Sequence, residues 1–271
     1  MATQAEKAAE FLALHDGPAP LLMPNPWDQG SAKLLASVGF EALATTSSGF
    51  AATLGRLDGS VSRDEALQHA AAVVAATDLP VSADLENGFG DEPSAVVKTV
   101  ELAVGAGLAG CSVEDYNRGA GTIYEPGLAA ERVRAAAEAA HAGPVRLVLT
   151  ARAENHIHGR DDLTDTIARL QSFQAAGADV LFAPGVIRPP EIRQLVASVD
   201  RPINVLVVPG APPIADLAAL GVRRVSVGGA FAFVALGSVL EAARELRDKG
   251  TYGYWETARP GGAAARAAFR H

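Results

Sequence analysis

Eight short runs of apolar and small residues recur along the chain. Each ends in turn-forming residues and gives way to an alanine-rich stretch of helical period. The runs begin at Leu21 (LLMPNPWD), Ala42 (ALATTSSG), Val81 (VSADLENG), Gly110 (GCSVED), Arg146 (RLVLTARAE), Asp179 (DVLFAPG), Ile203 (INVLVVPG) and Arg223 (RRVSVGG). Among the intervening helices, SRDEALQHAAAVVAA opens on Ser62 as an N-cap with an acidic first turn, and LTDTIARLQSFQAAG closes on Gly177 as a C-cap. Regular strand–helix alternation predicts a parallel sheet. Eight such units in about 230 residues fit a closed (β/α)8 TIM-type barrel better than an open doubly wound sheet. No glycine-rich fingerprint follows the first strand, which counts against a dinucleotide-binding sheet. The expected organisation is one domain over residues 1–271, with an N-terminal helix at about 4–15 and a helical tail at about 231–271.

In such barrels the chemistry sits where strands end, and the polar residues of this chain gather there. Asn25, Trp27 and Asp28 follow the first run, and Thr46, Ser47 and Ser48 the second. Asp84, Glu86 and Asn87 follow the third, and Glu114 and Asp115 the fourth. The fifth run ends in Arg152, Glu154 and Asn155, and the seventh carries Asn204. Asp84 and Glu86 are two apart, so strand alternation sends both to one face, where two like charges need neutralising. With Glu114 and Asp58 (from GRLDGS) they form a hard oxygen-donor set, which suits Mg²⁺ or Mn²⁺. The competing reading pairs them with arginines or with helix N-termini.

Composition narrows the chemistry. A net charge of −8, with no concentration of lysine and arginine, argues against a nucleic-acid footprint and requires a local cation for any anionic substrate. One cysteine excludes a disulfide framework and a cysteine-rich zinc module. No 18-residue apolar run and no cleavage-type leader are present, so a soluble cytoplasmic protein with no membrane partner is expected. The four lysines (Lys7, Lys33, Lys98 and Lys249) all fall in or at the end of predicted helices, leaving no amine for a Schiff base at a strand end. Arg152 is then the natural fork for a substrate carboxylate.

Taken together these residues resemble the phosphoenolpyruvate mutase/isocitrate lyase superfamily. The nearest likeness is to the 2-methylisocitrate lyase-like branch, with a divergent lid after the fourth strand. The likeness runs from NPWDQGSAKLLASVGFEALATTSSGF to RRVSVGGAFAFVAL. It implies that Ser48, Gly49 and Phe50 form the turn holding a pyruvyl carboxylate. Asp58 corresponds to the family's loop acid, and Asp84-Leu85-Glu86 to its third-strand acids. Glu114 is then the fourth-strand acid, with Mg²⁺ held mainly by Asp84. Ala151-Arg152 matches the arginine motif that contacts the substrate carboxylate, and Asn204 a substrate-binding asparagine.

Departures reshape the expectation. The lyase loop Lys-Lys-Cys-Gly-His is replaced by DYNRGAGTIYEPG, without cysteine, lysine or histidine, although Asn117 and Arg118 partly stand in for a lid. Cys111 has the opposite strand parity to Glu114 and reads as a packing thiol. The resemblance then implies a Mg²⁺-dependent carbon–carbon lyase or decarboxylase, acting on a small 2-oxo mono- or dicarboxylate through its enolate. Arg152, Glu114, Asp58 and Tyr116 are its candidate catalytic residues. Glu114, Tyr116 and Tyr124 are alternatives for the proton carrier. Carbon–phosphorus chemistry on phosphonopyruvate or phosphoenolpyruvate is the second reading, and a non-catalytic 2-oxo-acid binder the third. His156 and His158 fit a loop covering the site. The resemblance also implies a homodimer or homotetramer whose C-terminal helices are exchanged between subunits.

Overall fold

The computed structural model describes residues 2–270, so Met1 and His271 of the expected span lie outside the described residues. Its strands are β1 (Leu21–Met23), β2 (Leu43–Ala44), β3 (Val81–Asp84), β4 (Gly110–Glu114), β5 (Tyr116–Asn117), β6 (Thr122–Ile123), β7 (Val148–Arg152), β8 (Val180–Phe182), β9 (Ile203–Leu206) and β10 (Arg224–Ser226). Its helices are α1 (Gln4–Ala13), α2 (Gln29–Ser37), α3 (Ser47–Thr53), α4 (Arg63–Ala75), α5 (Pro93–Gly105), α6 (Pro126–His141), α7 (Leu163–Ala175), α8 (Pro189–Ala197), α9 (Ile214–Ala219), α10 (Ala230–Lys249) and α11 (Trp255–Ala268). Eight parallel strands run in the order β1-β10-β9-β8-β7-β4-β3-β2. The β1/β2 seam is crossed by a 3.1 Å bond from the Ala44 N–H to the Pro24 carbonyl. The strands are those expected from the eight apolar runs, closed into a (β/α)8 barrel. The antiparallel hairpin β5–β6 is an addition on the rim beyond β4.

Local chemistry explains the helix boundaries. Ser62 caps α4 in a reciprocal box with Glu65, and Thr3 and Asp28 cap α1 and α2 in the same manner. Proline opens α5, α6 and α8, where a missing N–H costs nothing. Gly177, at φ 105°, turns the chain out of α7 towards β8.

Strand parity sorts the side chains. Cys111 and Val113 face the helices and join the main core, while Ser112 and Glu114 face the barrel axis. A second core fills the N-terminal end of the barrel, where Phe11 of α1 packs among Leu21, Met23, Val148 and Val180. Gly110 makes room for it, since a Cβ there would meet the Phe11 ring at 2.7 Å. Among the described residues no helix is long and apolar enough to cross a membrane. The expected C-terminal tail consists of α10 and α11, and α11 packs back near α2, with the Phe269 ring beside Gly30. Phe233, Val234 and Trp255 on these helices are more than half exposed.

Candidate active site

The C-terminal rim of the barrel opens on a cavity of about 330 Å³, lined among others by Asp84, Arg118, Arg152, His158, Asn204 and Arg224. Asp84 is the last residue of β3 and Arg152 the last of β7. Both strands pair with β4, which brings these side chains to Glu114. Arg152 bonds Asp84 at 2.9 Å, Glu154 at 2.7 Å and Glu114 at 3.2 Å, so each of its donor nitrogens faces a carboxylate. The ring of Phe182 covers its guanidinium at 5.3 Å. Burial works against the charge on Arg152, but the three acids outweigh it and hold the guanidinium well above its ordinary value. Behind this group, Asp115 accepts from the Glu154 N–H at 2.8 Å and from Arg169 at 3.1 Å, fixing the β7 exit.

Arg118, from the β5–β6 hairpin, binds the remaining acids. It lies 2.9 Å from Glu86, 3.1 Å from Asp58 and 3.8 Å from Glu114. Glu86 reaches this place by a route that strand alternation does not describe. The strand stops at Asp84, Leu85 turns into the core, and Glu86 adopts a left-handed φ of 48°. Its carbonyl still accepts from the Glu114 N–H at 2.9 Å, which locks the turn to β4. Burial, followed by repulsion from Asp84, pushes the Glu86 carboxyl up to about 7, against the pull of Arg118. Burial raises Glu114 as well, with Glu154 and Asp84 adding to it against Arg152 and Arg118.

Asp58, Asp84, Glu86 and Glu114 thus come together through two arginines. Among the described residues no three acid, histidine or cysteine side chains converge as a ligand group. The donor set nevertheless fits a hard divalent cation. Five carboxylates, counting Glu154, share two guanidinium groups, and the buried Glu114 Oε1 has no hydrogen-bond partner.

The turn after β2 differs from the expected carboxylate cradle. Thr46 caps α3 by accepting from the Gly49 N–H, and the Phe50 N–H is spent on the Thr46 carbonyl at 3.0 Å. Phe50 stacks on His69 outside the main cavity, leaving Thr46, Ser47 and Ser48 as the residues of this turn that line it. Ser48 lies against Gly229, where a Cβ would meet its hydroxyl at 2.5 Å. Asn204 lines the cavity, its amide accepting from Arg224 at 3.0 Å and donating to Ser226 at 2.9 Å. Tyr116 stacks flat on His158 at 3.5 Å, and it is His158 that faces the cavity. Tyr124 donates to Asp91 at 2.6 Å and accepts from Asn87 at 3.0 Å, away from the residues that line the cavity, and burial with the Asp91 contact pushes its phenol up to about 12. Sequence reading offered Arg118 only as part of a lid, without its acid partners, and did not place Arg224. The latter stands two residues before Ser226 in RRVSVGG, and the alternation that turns Ser226 inward turns Arg224 inward too.

The geometry agrees with what the chain resembles. Residues 11–247 match the family profile described as phosphoenolpyruvate phosphomutase. A solved structure from Burkholderia cenocepacia J2315, put forward as a lyase or mutase, superposes with a TM-score of 0.94. It is 51% identical and covers 97% of this chain and 95% of its own. A Mycobacterium tuberculosis H37Rv protein of uncharacterised function is 35% identical over 88% of this chain and 89% of its own length. An oxaloacetate decarboxylase of Chromohalobacter salexigens is 29% identical over 91% of this chain and 87% of its own.

Proposed function

Because the chain belongs to the phosphoenolpyruvate phosphomutase family, we propose that it is a carbon–carbon lyase or decarboxylase acting on a 2-oxo carboxylate through its enolate. The observation that carries this reading is the buried Asp84–Arg152–Glu114 cluster opening on the 330 Å³ cavity. The decarboxylase relative supports it at the level of substrate class.

Asp84, Glu86 and Glu114, with Asp58 further out on its loop, would hold Mg²⁺ or Mn²⁺. Bound there, the ion supplies positive charge to the oxygens of the 2-oxo acid as the enolate develops. The chain's own groups do the rest. Arg152 neutralises the acid ring, and it reaches a substrate carboxylate once one of its acids turns away. Ser48 borders the cavity with a hydroxyl that can donate to the same carboxylate, and Asn204 is held by Arg224 and Ser226 on the far wall. His158, whose imidazole is held below its ordinary value by burial, lines the cavity where Tyr116 does not, and is the better placed of the two to take up a proton from solvent and pass it to the enolate carbon.

Carbon–phosphorus chemistry remains the second reading, since Arg118 puts a cation on the lid side of the cavity. Incubation with oxaloacetate, 2-methylisocitrate and phosphonopyruvate, with and without Mg²⁺, decides between them. Pyruvate formed without phosphate supports the lyase. Phosphate release from phosphonopyruvate supports the second reading, and saturable binding without turnover leaves a 2-oxo-acid binder. The exposed apolar residues of α10 and α11 support assembly with a second copy, as a homodimer or homotetramer.

A further inference from the structure

Arg224 is the one arginine lining the cavity, among the described residues, that has no acidic partner. Its Nε donates to Asn204 Oδ1 at 3.0 Å and its Nη1 to Thr150 Oγ1 at 2.9 Å, both uncharged acceptors. Its Nη2 has no hydrogen-bond partner among the described residues. The residue is 5% exposed and faces the barrel axis from β10. A buried cation without a counter-ion is costly, and a barrel interior that needed only to be filled would use an apolar side chain.

The surroundings are built rather than incidental. Ser226 fixes the Asn204 amide, which turns its oxygen towards the guanidinium. Thr150 shares the inward face of β7 with Arg152, two residues deeper, or about 6.6 Å along the strand. The cavity is therefore two-ended. At the rim stand Arg152, all its donors engaged by carboxylates, and the acid set. At depth stands Arg224 with an unspent charge.

We propose that Arg224 receives the far carboxylate of a four-carbon 2-oxo dicarboxylate, so that the pocket selects dicarboxylates over monocarboxylates. This rests on the 2-oxo-acid reading of the rim, where the head of the substrate is held. The guanidinium is pushed down to about 9, first by burial and then by repulsion from Arg152, and the charge of an arriving carboxylate offsets both.

Malate and lactate test this without turnover, since they share a 2-hydroxy-acid head and differ by the far carboxylate. In calorimetric titrations with Mg²⁺ present, the wild-type protein binds malate at least about 30-fold more tightly than lactate. Arg224→Gln brings the two within about threefold by weakening malate alone, and Arg224→Lys, lacking the fork, recovers part of the difference. The ligand-free Arg224→Gln protein melts at or above the wild-type temperature, because an uncompensated charge has been removed. Equal loss of both affinities with a lowered melting temperature would make Arg224 a structural anchor and overturn the proposal. So would absence of malate binding to the wild type. Tighter, Arg224-dependent binding of 3-phosphonolactate would replace the carboxylate by a phosphonate. If oxaloacetate is turned over but malate affinity ignores Arg224, this inference fails and the lyase reading stands. If Arg224 discriminates as described but no oxo acid reacts, the reverse holds.

Discussion

Replacing Glu86 by glutamine removes one charge from the acidic rim while keeping the side chain's length and its left-handed backbone, so strain cancels in the comparison. The Glu86 carboxyl is pushed up from 4.5 to about 7, with burial the largest cause and Asp84 the next. A carboxyl raised in this way keeps its proton in the folded protein after the unfolded chain has released it. Its stabilising contribution is complete below pH 4.5 and is lost as the pH rises through 7. A gap of roughly 2.5 pH units corresponds to about 3 kcal/mol, an upper bound because part of the repulsion relaxes on ionisation. Urea unfolding followed by circular dichroism, in EDTA, reads this directly. Wild type and Glu86→Gln match near pH 4.5, and the variant is the more stable by about 2–3 kcal/mol near pH 7.5. Saturating Mg²⁺ narrows the gap, because a cation held by these acids favours the ionised carboxylate. A stability difference that stayed constant across this range would refute the reasoning, since the carboxyl would then not be titrating where its surroundings place it.

Three further outcomes follow from other parts of the molecule. Arg152→Lys keeps a charge but cannot face three carboxylates at once, and kcat/KM for oxaloacetate should drop by about 10³-fold while the circular dichroism spectrum is retained. His15, buried beside Phe11 at the base of the barrel, is pushed down to about 4 by burial first and Arg224 second. Stability should therefore fall by up to about 3 kcal/mol as the pH drops from 6.5 to 4, and His15→Gln should flatten that slope in denaturant titrations. Cys111 is fully buried and its thiol is pushed up to about 12, so a thiol reagent should modify one group per chain in denaturant and none in native buffer.

The strands were legible because a parallel barrel buries both faces of each one, which writes compact apolar runs between turn residues. Ser62 and Gly177 marked helix ends because their chemistry is local. The acid cluster was legible as residue types but not as geometry. A strand's last residue cannot be read to within two positions, so the left-handed turn at Glu86 was invisible and alternation was carried too far. The Thr46 cap could have been seen in TTSSG, and it would have shown that the Gly49 and Phe50 amides belong to a helix. The hairpin that delivers Arg118 rests on two residue pairs, Tyr116 with Ile123 and Asn117 with Thr122, which is too short for any periodic signal. Arg224 and the acid partners of Arg118 were missed for another reason: long cations reach their partners across the barrel, and linear spacing does not record such distances.

Asn25 ties three strand ends with one amide. Its oxygen accepts from the Val227 and Gly228 N–H groups, and its nitrogen donates to the Thr45 carbonyl. The side chain is thus oriented by what it must both give and take, and neither aspartate nor leucine could do both. This sutures the wall that carries Ser47, Ser48 and Gly229. Across the mouth, the Arg118 arm is fastened by ion pairs to Asp58, Glu86 and Glu114, the Asp58 contact also a hydrogen bond from Nη2 at 3.1 Å, and salt and protons loosen such charge pairing. One jaw of the mouth is thus sewn by an uncharged amide, and the other is buttoned by ion pairs.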